Sequence, residues 1–553
     1  MDYNIQKLLQ DAKDNLKQGN MAEVQNCIAQ VLMDADEDAD AYLEIGKLYI
    51  ALGNYPIASV YVRKSFDIEK TFEKLELLAN VNYKAEKYDL AAIEFEELIK
   101  HFQREEFYIY CMKAYEKLDY YEESIRIAKM YNYAYKNVDS YAELLIRYIV
   151  AGMEEDARVT GEEMKKLFPN NSTTFNMLGL LEECINNDYD TAKEYFKKSA
   201  TSGKISAYYN LGVCCKQSED FENATKYLNK LKSITEDVDN NYNYTLGTTY
   251  FSERKLRLGY KYYLKRRSSQ KYKIAYKDIL WDGKNYPDET IYIAAEQGFG
   301  DNIQFSRYIQ FVAKKFKKVY FGVYKELLEI LKPNIETESN IEVVSNEEPV
   351  KFNKFAMIMD LPYLLHKNFH NIPSKEAYIK ANDRKVEMFK TNFFEENNKI
   401  KIGLSWRAKG MGLRDAVYRT IDAPYYYKPI MDLENAEYYS FQFGDIFDMC
   451  KKYPQIKDLS KHLKDFSDTA AALANIDILI TVDTVLAHLA GAMGVKTYLL
   501  LCHAPDWRWF DNDKKTEWYP SVTIIKQHDR RTWEDVSEKL TEYIKNDLKK
   551  DKL

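Results

Sequence analysis

Long apolar runs are what this chain most plainly lacks. No stretch of its 553 residues approaches the length needed to span a bilayer, and the opening MDYNIQKLLQDAK has no apolar signal-peptide core. Membrane-embedded and exported classes are therefore not expected, and the expected location is the cytoplasm. The seven cysteines, at 27, 111, 184, 214, 215, 450 and 502, fall at neither metal-ligand nor disulfide-framework spacing, which suits reduced thiols in that compartment. A net charge of −7 leaves no basic excess to attract nucleic acid. Asp511-Asn512-Asp513 reads D-x-D by its letters, but it lies in a polar turn rather than at the end of an apolar strand, so neither a metal nor another cofactor is expected.

Hydrophobic residues at 46% and charged residues at 30% describe a water-facing globular chain. Its length is too great for one core and points to three or four domains. Across 1–268 a small residue is answered about twelve positions later by another: Gly46 and Ala58, Ala79 and Ala91, Gly179 and Ala192, Gly212 and Ala224, Gly247 and Gly259. Tyr55, Tyr88, Tyr121, Tyr189 and Phe221 stand three before the second small position. That is the tetratricopeptide pattern, in which paired helices pack small against large, here in about eight units with the first and fourth degraded. Such an array predicts a superhelical concave surface for extended peptides or partner proteins, and it is compatible with a homo-oligomer.

The remainder reads as two α/β domains, 269–385 and 386–553, in which apolar strands alternate with helices. The segment DILITVDTVLAHLAGAMG (477–494) carries a strand directly into an alanine-rich helix, so Thr484 and Val485 turn unpaired N–H groups and a positive dipole end toward a pyrophosphate. Asp483 is either a cap of that helix or a donor-positioning group. His488, within the helix, faces either the cleft or the core. In the first domain, TIYIAAEQGFGDNIQFSRYIQF (290–311) carries a strand into Gln297, Gly298, Phe299, Gly300 and Asp301, then into a helix with Gln304 in it and Ile303, Arg307 and Ile309 along one face. The glycines permit a tight turn and a close backbone approach. A third glycine is missing, so this is not the dinucleotide fingerprint.

EQGFGDNIQFSRY, KIGLSWRAKG followed by Arg419, FSDTAAALANIDILITVDTVLAHLAGAMG and APDWRWF followed by WYPS closely resemble the bacterial tetratricopeptide-repeat glycosyltransferases. Those proteins are similar to the lipopolysaccharide heptosyltransferases and, more distantly, to the eukaryotic O-GlcNAc transferase. The resemblance covers essentially the whole chain and implies a GT-B architecture, two Rossmann-like domains with the sugar nucleotide held mainly by the second. It departs after Trp406: the family's small-residue, Asn/His-rich segment is replaced by RAKGMGLRDAVY.

Sugar transfer needs a site for the pyrophosphate leaving group, a base for the acceptor hydroxyl, and exclusion of water. The helix start and the loop after IGLSW supply the first, with Ser405, Arg407, Lys409, Arg414 and Arg419 as hydroxyl or cationic partners. The resemblance favours Arg419. It also assigns the base to Asp301, which otherwise reads as a helix cap. Gln442, at the end of strand EYYSFQF, stands where a nucleotide meets a parallel sheet, and the resemblance places base or ribose near it. Trp507, Arg508 and Trp509 wall the donor pocket or plug a domain interface.

The expected function is an inverting, metal-independent glycosyltransferase that holds a protein acceptor, flagellin or another exported surface protein, on its repeats and modifies Ser or Thr. UDP-N-acetylglucosamine is the donor that the O-GlcNAc resemblance implies. A heptosyltransferase-like enzyme acting on a glycan or lipid, and a non-catalytic scaffold with a degenerate sugar-nucleotide domain, are the alternatives.

Overall fold

The computed structural model describes residues 2–35, 37–235, 240–367, 371–373, 376–408, 419–421, 424–443, 449–509, 514–530 and 532–550. Sixteen helices come first: α1 (Tyr3–Gln18), α2 (Met21–Asp34), α3 (Ala39–Ala51), α4 (Tyr55–Ile68), α5 (Phe72–Lys84), α6 (Tyr88–His101), α7 (Glu105–Lys117), α8 (Tyr121–Tyr135), α9 (Val138–Val150), α10 (Glu154–Leu167), α11 (Ser172–Cys184), α12 (Tyr189–Thr201), α13 (Ala207–Gln217), α14 (Phe221–Ile234), α15 (Asn240–Ser252) and α16 (Leu256–Tyr263). The count agrees with eight two-helix repeats. The chain divides into two compact units, Met1–Leu181 and Glu182–Leu553.

In the first unit the small residues are where two helices touch. A Cβ on Gly46 would meet Val62 at 2.6 Å, and one on Gly161 would meet Leu181 at 2.6 Å. Ala58, Ala79 and Ala91 have no exposed surface at all. Each first helix then stops in the same way. Residues 53, 86, 119 and 152, at equal steps of 33, all carry positive φ, +71°, +61°, +61° and +69°. The next residue donates its N–H to the carbonyl five back, as in Asn54 to Tyr49, Lys87 to Asn82, Tyr120 to Tyr115 and Met153 to Tyr148, each at 2.9 Å. This is the Schellman closure, which satisfies carbonyls that a helix end leaves open. It explains the aromatics of the sequence pattern, because Tyr55, Tyr88 and Tyr121 are the first residues of the helices that follow. They are not all core: Tyr121 is 39% exposed.

The second unit holds α12–α16 and two parallel sheets. The first sheet has the order β3-β2-β1-β4, with β1 (Tyr286–Ala294), β2 (Phe316–Val323), β3 (Ile341–Ser345) and β4 (Lys354–Met357). The second has the order β10-β9-β8-β5-β6-β7, with β5 (Ile400–Ser405), β6 (Ala436–Ser440), β7 (Ile456–Asp458), β8 (Ile478–Val482), β9 (Thr497–Leu501) and β10 (Val522–Lys526). Every named pairing is parallel. The central strands are apolar on both faces, as a sheet covered on both sides requires, and β8 and β9 are buried along their whole length.

Here the structure corrects three expectations. β1 ends at Ala294, before the predicted strand did. The helix after the glycine loop stops at Ser306, and a new one starts at Ile309, so Ile303, Arg307 and Ile309 do not share one continuous face. The apolar run KFAMIMDLP (354–362), which an alternation of apolar strands and helices makes a strand, is extended only over Lys354–Met357; the rest turns into short helical segments.

The last repeats are joined to the sheets by buried charge and aromatic packing. Glu219, in the turn after α13, takes the ammonium of Lys526 at 2.6 Å, and Arg254 meets Glu517 at 2.8 Å. Arg266, only 1% exposed, binds Glu296 at the end of the β1 segment and Asp360 at 2.8 Å, with Lys273 on the same Asp360 at 2.8 Å. Among the described residues no helix is long and apolar enough to cross a membrane.

Glu86 and Asp119 hold the left-handed conformation without being glycine. Replacing either by Gly relieves a Cβ clash at a small entropy cost, so each substitution is expected to stabilise the array by about 0.5–1 kcal/mol, and Gly53→Ala to destabilise it by about 1 kcal/mol. Urea unfolding followed by circular dichroism measures both; an unchanged midpoint for all three would contradict the strain.

Candidate functional site

In doubly wound sheets ligands bind beyond the carboxyl ends of strands, where the strand order reverses. In the first sheet that point lies between β1 and β4, and the loop after β1 is the Gln297–Asp301 segment. In the second it lies between β5 and β8, and the loops there carry Ser405 and Asp483. The two helices leading out of these loops, Phe299–Ser306 and Val485–Met493, are in direct contact. A Cβ on Gly300 would lie 2.6 Å from His488 Cδ2. Gly300 is thus required by packing. Gly298 is not, since a Cβ there would meet only Asp301 at 3.5 Å. The left-handed residue of the loop is Gln297, at φ +59°, rather than either glycine.

Asp301 is the third residue of its helix. Its Oδ2 accepts the Gly298 N–H at 2.9 Å and its Oδ1 is bound by the Arg508 guanidinium. The capping role and the candidate catalytic role therefore fall on one carboxylate. Arg508 is buried and also binds Asp506 at 2.7 Å and reaches Gln297 Oε1 at 3.4 Å. Gln297 Nε2 donates to the hydroxyl of Tyr263, on α16, at 2.8 Å. A continuous chain thus runs from the last repeat through Gln297 and Arg508 to Asp301. Burial alone would raise the Asp506 carboxyl, but Arg508 more than offsets it and holds the group below its usual range.

Asp483 closes β8, and Thr484 caps the helix by accepting the Leu486 N–H at 3.2 Å, with Val485 the first helical residue. Burial pushes the Asp483 carboxyl up to about 6, partly countered by Arg419, whose guanidinium lies 3.7 Å away. His488 is enclosed: its ring stacks on Trp509 at 5.1 Å, and Nδ1 lies 3.1 Å from the Tyr519 hydroxyl. Burial drives its pKa down to about 3, which favours the neutral ring, and its packing on Trp509 and Tyr519 is that of the core-facing alternative.

Two other expected donor ligands are spent on each other. Gln442 Oε1 accepts from Ser405 Oγ at 3.2 Å and from the backbone N–H of Trp406 and Arg407 at 3.2 and 2.9 Å. The pair staples the ends of β5 and β6. Trp507 takes the packing alternative: its ring lies on Phe251 of α15 at 4.6 Å and on Tyr263 at 6.2 Å. Gln304 is fully buried, with neither amide atom bonded to protein. Lys409 and Arg414, like Asp511-Asn512-Asp513, lie outside the described residues. Among the described residues no three His, Cys, Asp or Glu side chains group as metal ligands.

The site also draws in residues that sequence reasoning passed over: Asp506, Tyr263 and, from α13 and α15, Lys216 and Tyr244. Asp506 lies inside a quoted motif but was overshadowed by the tryptophans around it. The other three sit in repeats, where nothing local distinguishes them from packing residues.

Fold and site together describe a helical tetratricopeptide-like array followed by two parallel sheets, with charged groups on the loops at their switch points. A tetratricopeptide repeat family model matches residues 205–238. The chain is similar to Protein FlbA of Caulobacter vibrioides, 21% identical over 282 residues, and spans 46% of that relative's length with 46% of its own. Solved structures to which it is similar include a tetratricopeptide repeat protein from Parabacteroides merdae, 13% identical with a TM-score of 0.33, covering 45% of this chain and 99% of that one. Another is YrrB, described as a TPR protein with an unusual peptide-binding site, 14% identical with a TM-score of 0.25, covering 32% and 95%.

An acid whose pKa is higher folded than unfolded costs no stability below its unfolded value, near 4, and its full cost once pH exceeds the folded value of about 6. Asp483→Asn is therefore expected to stabilise the unliganded protein by about 2 kcal/mol at pH 7.5 and to have no effect near pH 4. Melting curves at the two pH values test this, and equal melting points at pH 7.5 would remove the burial penalty from the account.

Proposed function

We propose that the chain is an inverting glycosyltransferase that moves a sugar from a nucleotide donor to a Ser or Thr hydroxyl of a protein held by the repeats. The observation that carries this reading is the contact between the helices leading out of the two switch-point loops, with Asp301 bound by Arg508 at one and Asp483 beside Arg419 at the other. In this reading the acceptor oxygen attacks the anomeric carbon. The bond from that carbon to the diphosphate breaks, and the leaving charge falls on the N-terminus of helix Val485–Met493 and on Arg419. The hydroxyl proton passes to Asp301, whose ion pair with Arg508 opens as it does. The chemistry asks for no metal, UDP-N-acetylglucosamine is the favoured donor, and flagellin or another exported surface protein is the favoured acceptor, modified in the cytoplasm.

A second assignment of the base rests on Asp483, whose burial brings its pKa to about 6, closer to the working pH of a general base. Single substitutions separate the two. If Asp301 is the base, Asp301→Asn lowers turnover by about 10²–10⁴-fold with donor affinity kept, while Asp483→Asn weakens donor binding. The reverse pattern would transfer the role to Asp483.

The test that comes first is the thermal shift of the purified chain against UDP-, GDP-, ADP- and CMP-sugars, with and without EDTA. A shift with one nucleotide that persists in EDTA is the expected result. No shift with any of them would defeat the enzymatic reading and leave the repeats as a scaffold.

A further inference from the structure

The repeat side of the cleft carries a cation that the mechanism above does not use. Lys216, near the end of α13, is half-buried and donates from Nζ to Thr248 Oγ1 on α15 at 2.8 Å. Among the described residues no carboxylate lies within ion-pair distance of it. The nearest acid along its own chain, Glu219, is taken by Lys526 at 2.6 Å and faces His503 at 3.7 Å. Asp506 and Asp301 are both bound by Arg508, and Asp483 faces Arg419. Among the described residues, Thr248 is therefore the one hydrogen-bond acceptor that Lys216 has.

Lys216 lies between the repeats, through Thr248, and the charged groups Asp506 and Arg508 of the second sheet's loop. Tyr244 lies one turn before Thr248 on the same face of α15. It keeps 36% of its surface open, yet burial raises its hydroxyl pKa well above the usual value. Its ring lies 5.8 Å from Tyr263, whose hydroxyl begins the chain through Gln297 and Arg508 to Asp301. Burial also draws the Lys216 ammonium down to about 8, with Asp506 working against that and Arg508 adding to it. A part-buried ammonium with no ion-pair partner among the described residues gains from an anionic ligand.

Resting on the transferase reading, we propose that Lys216 is a specificity-determining residue that takes a carboxylate of the acceptor polypeptide, an Asp or Glu side chain close in sequence to the modified hydroxyl. The donor phosphates have their own place at helix Val485–Met493, whereas Lys216 stands on the repeats, the expected peptide side, and connects toward Asp301.

The experiment is the binding of a positional library of short, fluorescently tagged, Ser-centred peptides to the full chain, scored by anisotropy for wild type, Lys216→Met and Lys216→Glu, all checked for unchanged melting. Wild type is expected to prefer Asp or Glu over Asn or Gln at one fixed offset from the serine by about 5- to 10-fold. Lys216→Met should bind both alike, and Lys216→Glu should favour Lys or Arg at that offset. An acidic preference that survives in Lys216→Met, or peptide binding by wild type without such a preference, would overturn the assignment and leave the acceptor reading intact. So would a loss of nucleotide-sugar affinity in Lys216→Met with peptide selectivity unchanged, since the lysine would then belong to the donor. If no peptide binds a chain that still binds nucleotide sugar, the protein-acceptor reading itself falls.

Discussion

The guanidinium of Arg508 is the charge on which the loops of both sheets converge. It comes from the segment between β9 and β10, yet its partners are Asp301 and Gln297 of the first sheet's loop as well as its near neighbour Asp506. A carboxylate partly withdrawn from water is costly when unpaired, and two such groups share this cation. The Arg508 backbone is pinned in turn, since its carbonyl accepts from Trp518 Nε1 at 2.7 Å. Without the arginine, the glycine loop would lose its ion pair to the second sheet, and Asp301 would retain only the Gly298 N–H.

The same loop is secured from behind by a second buried cluster. Arg266 holds Glu296, the residue immediately before Gln297, together with Asp360, and Asn302 donates to the Glu296 carbonyl at 3.1 Å. Clamped on both sides, Gln297 persists at a positive φ that a free glutamine would avoid. The strain sits where the loop must present Asp301, and the helix behind it cannot retreat because His488 fills the space against Gly300.

The repeats were legible because their signal is periodic and local: small residues where two helices cross, and an aromatic at the start of five of the eight second helices. The βα units were legible for the same reason, through apolar strands running into Asp483 and Gln297. The site was legible only in part. Ser405 and Gln442 stand at the carboxyl edge, as a ligand group would, but that edge places them side by side, and they satisfy one another. His488 sits on an alanine-rich helix without any local cue that Gly300 and Trp509 enclose it. Lys216, Tyr263 and Asp506 come together across long separations, and the environment that makes each of them notable exists only in the folded chain.

The left-handed turn that closes the first helices is filled by Gly53, Glu86, Asp119, Gly152, Glu219 and Arg254 alike, so it is set by backbone handedness and not by one side chain. A unit bounded by such turns can be copied or deleted as a cassette without disturbing its neighbours' caps. The hairpin that ends in Tyr263 and leads to Arg266 has no such freedom, because its side chains are written into the loop of the first sheet. Over evolutionary time the array is therefore free to lengthen or shorten from its distal end, while the repeats nearest the sheets are inherited as part of them.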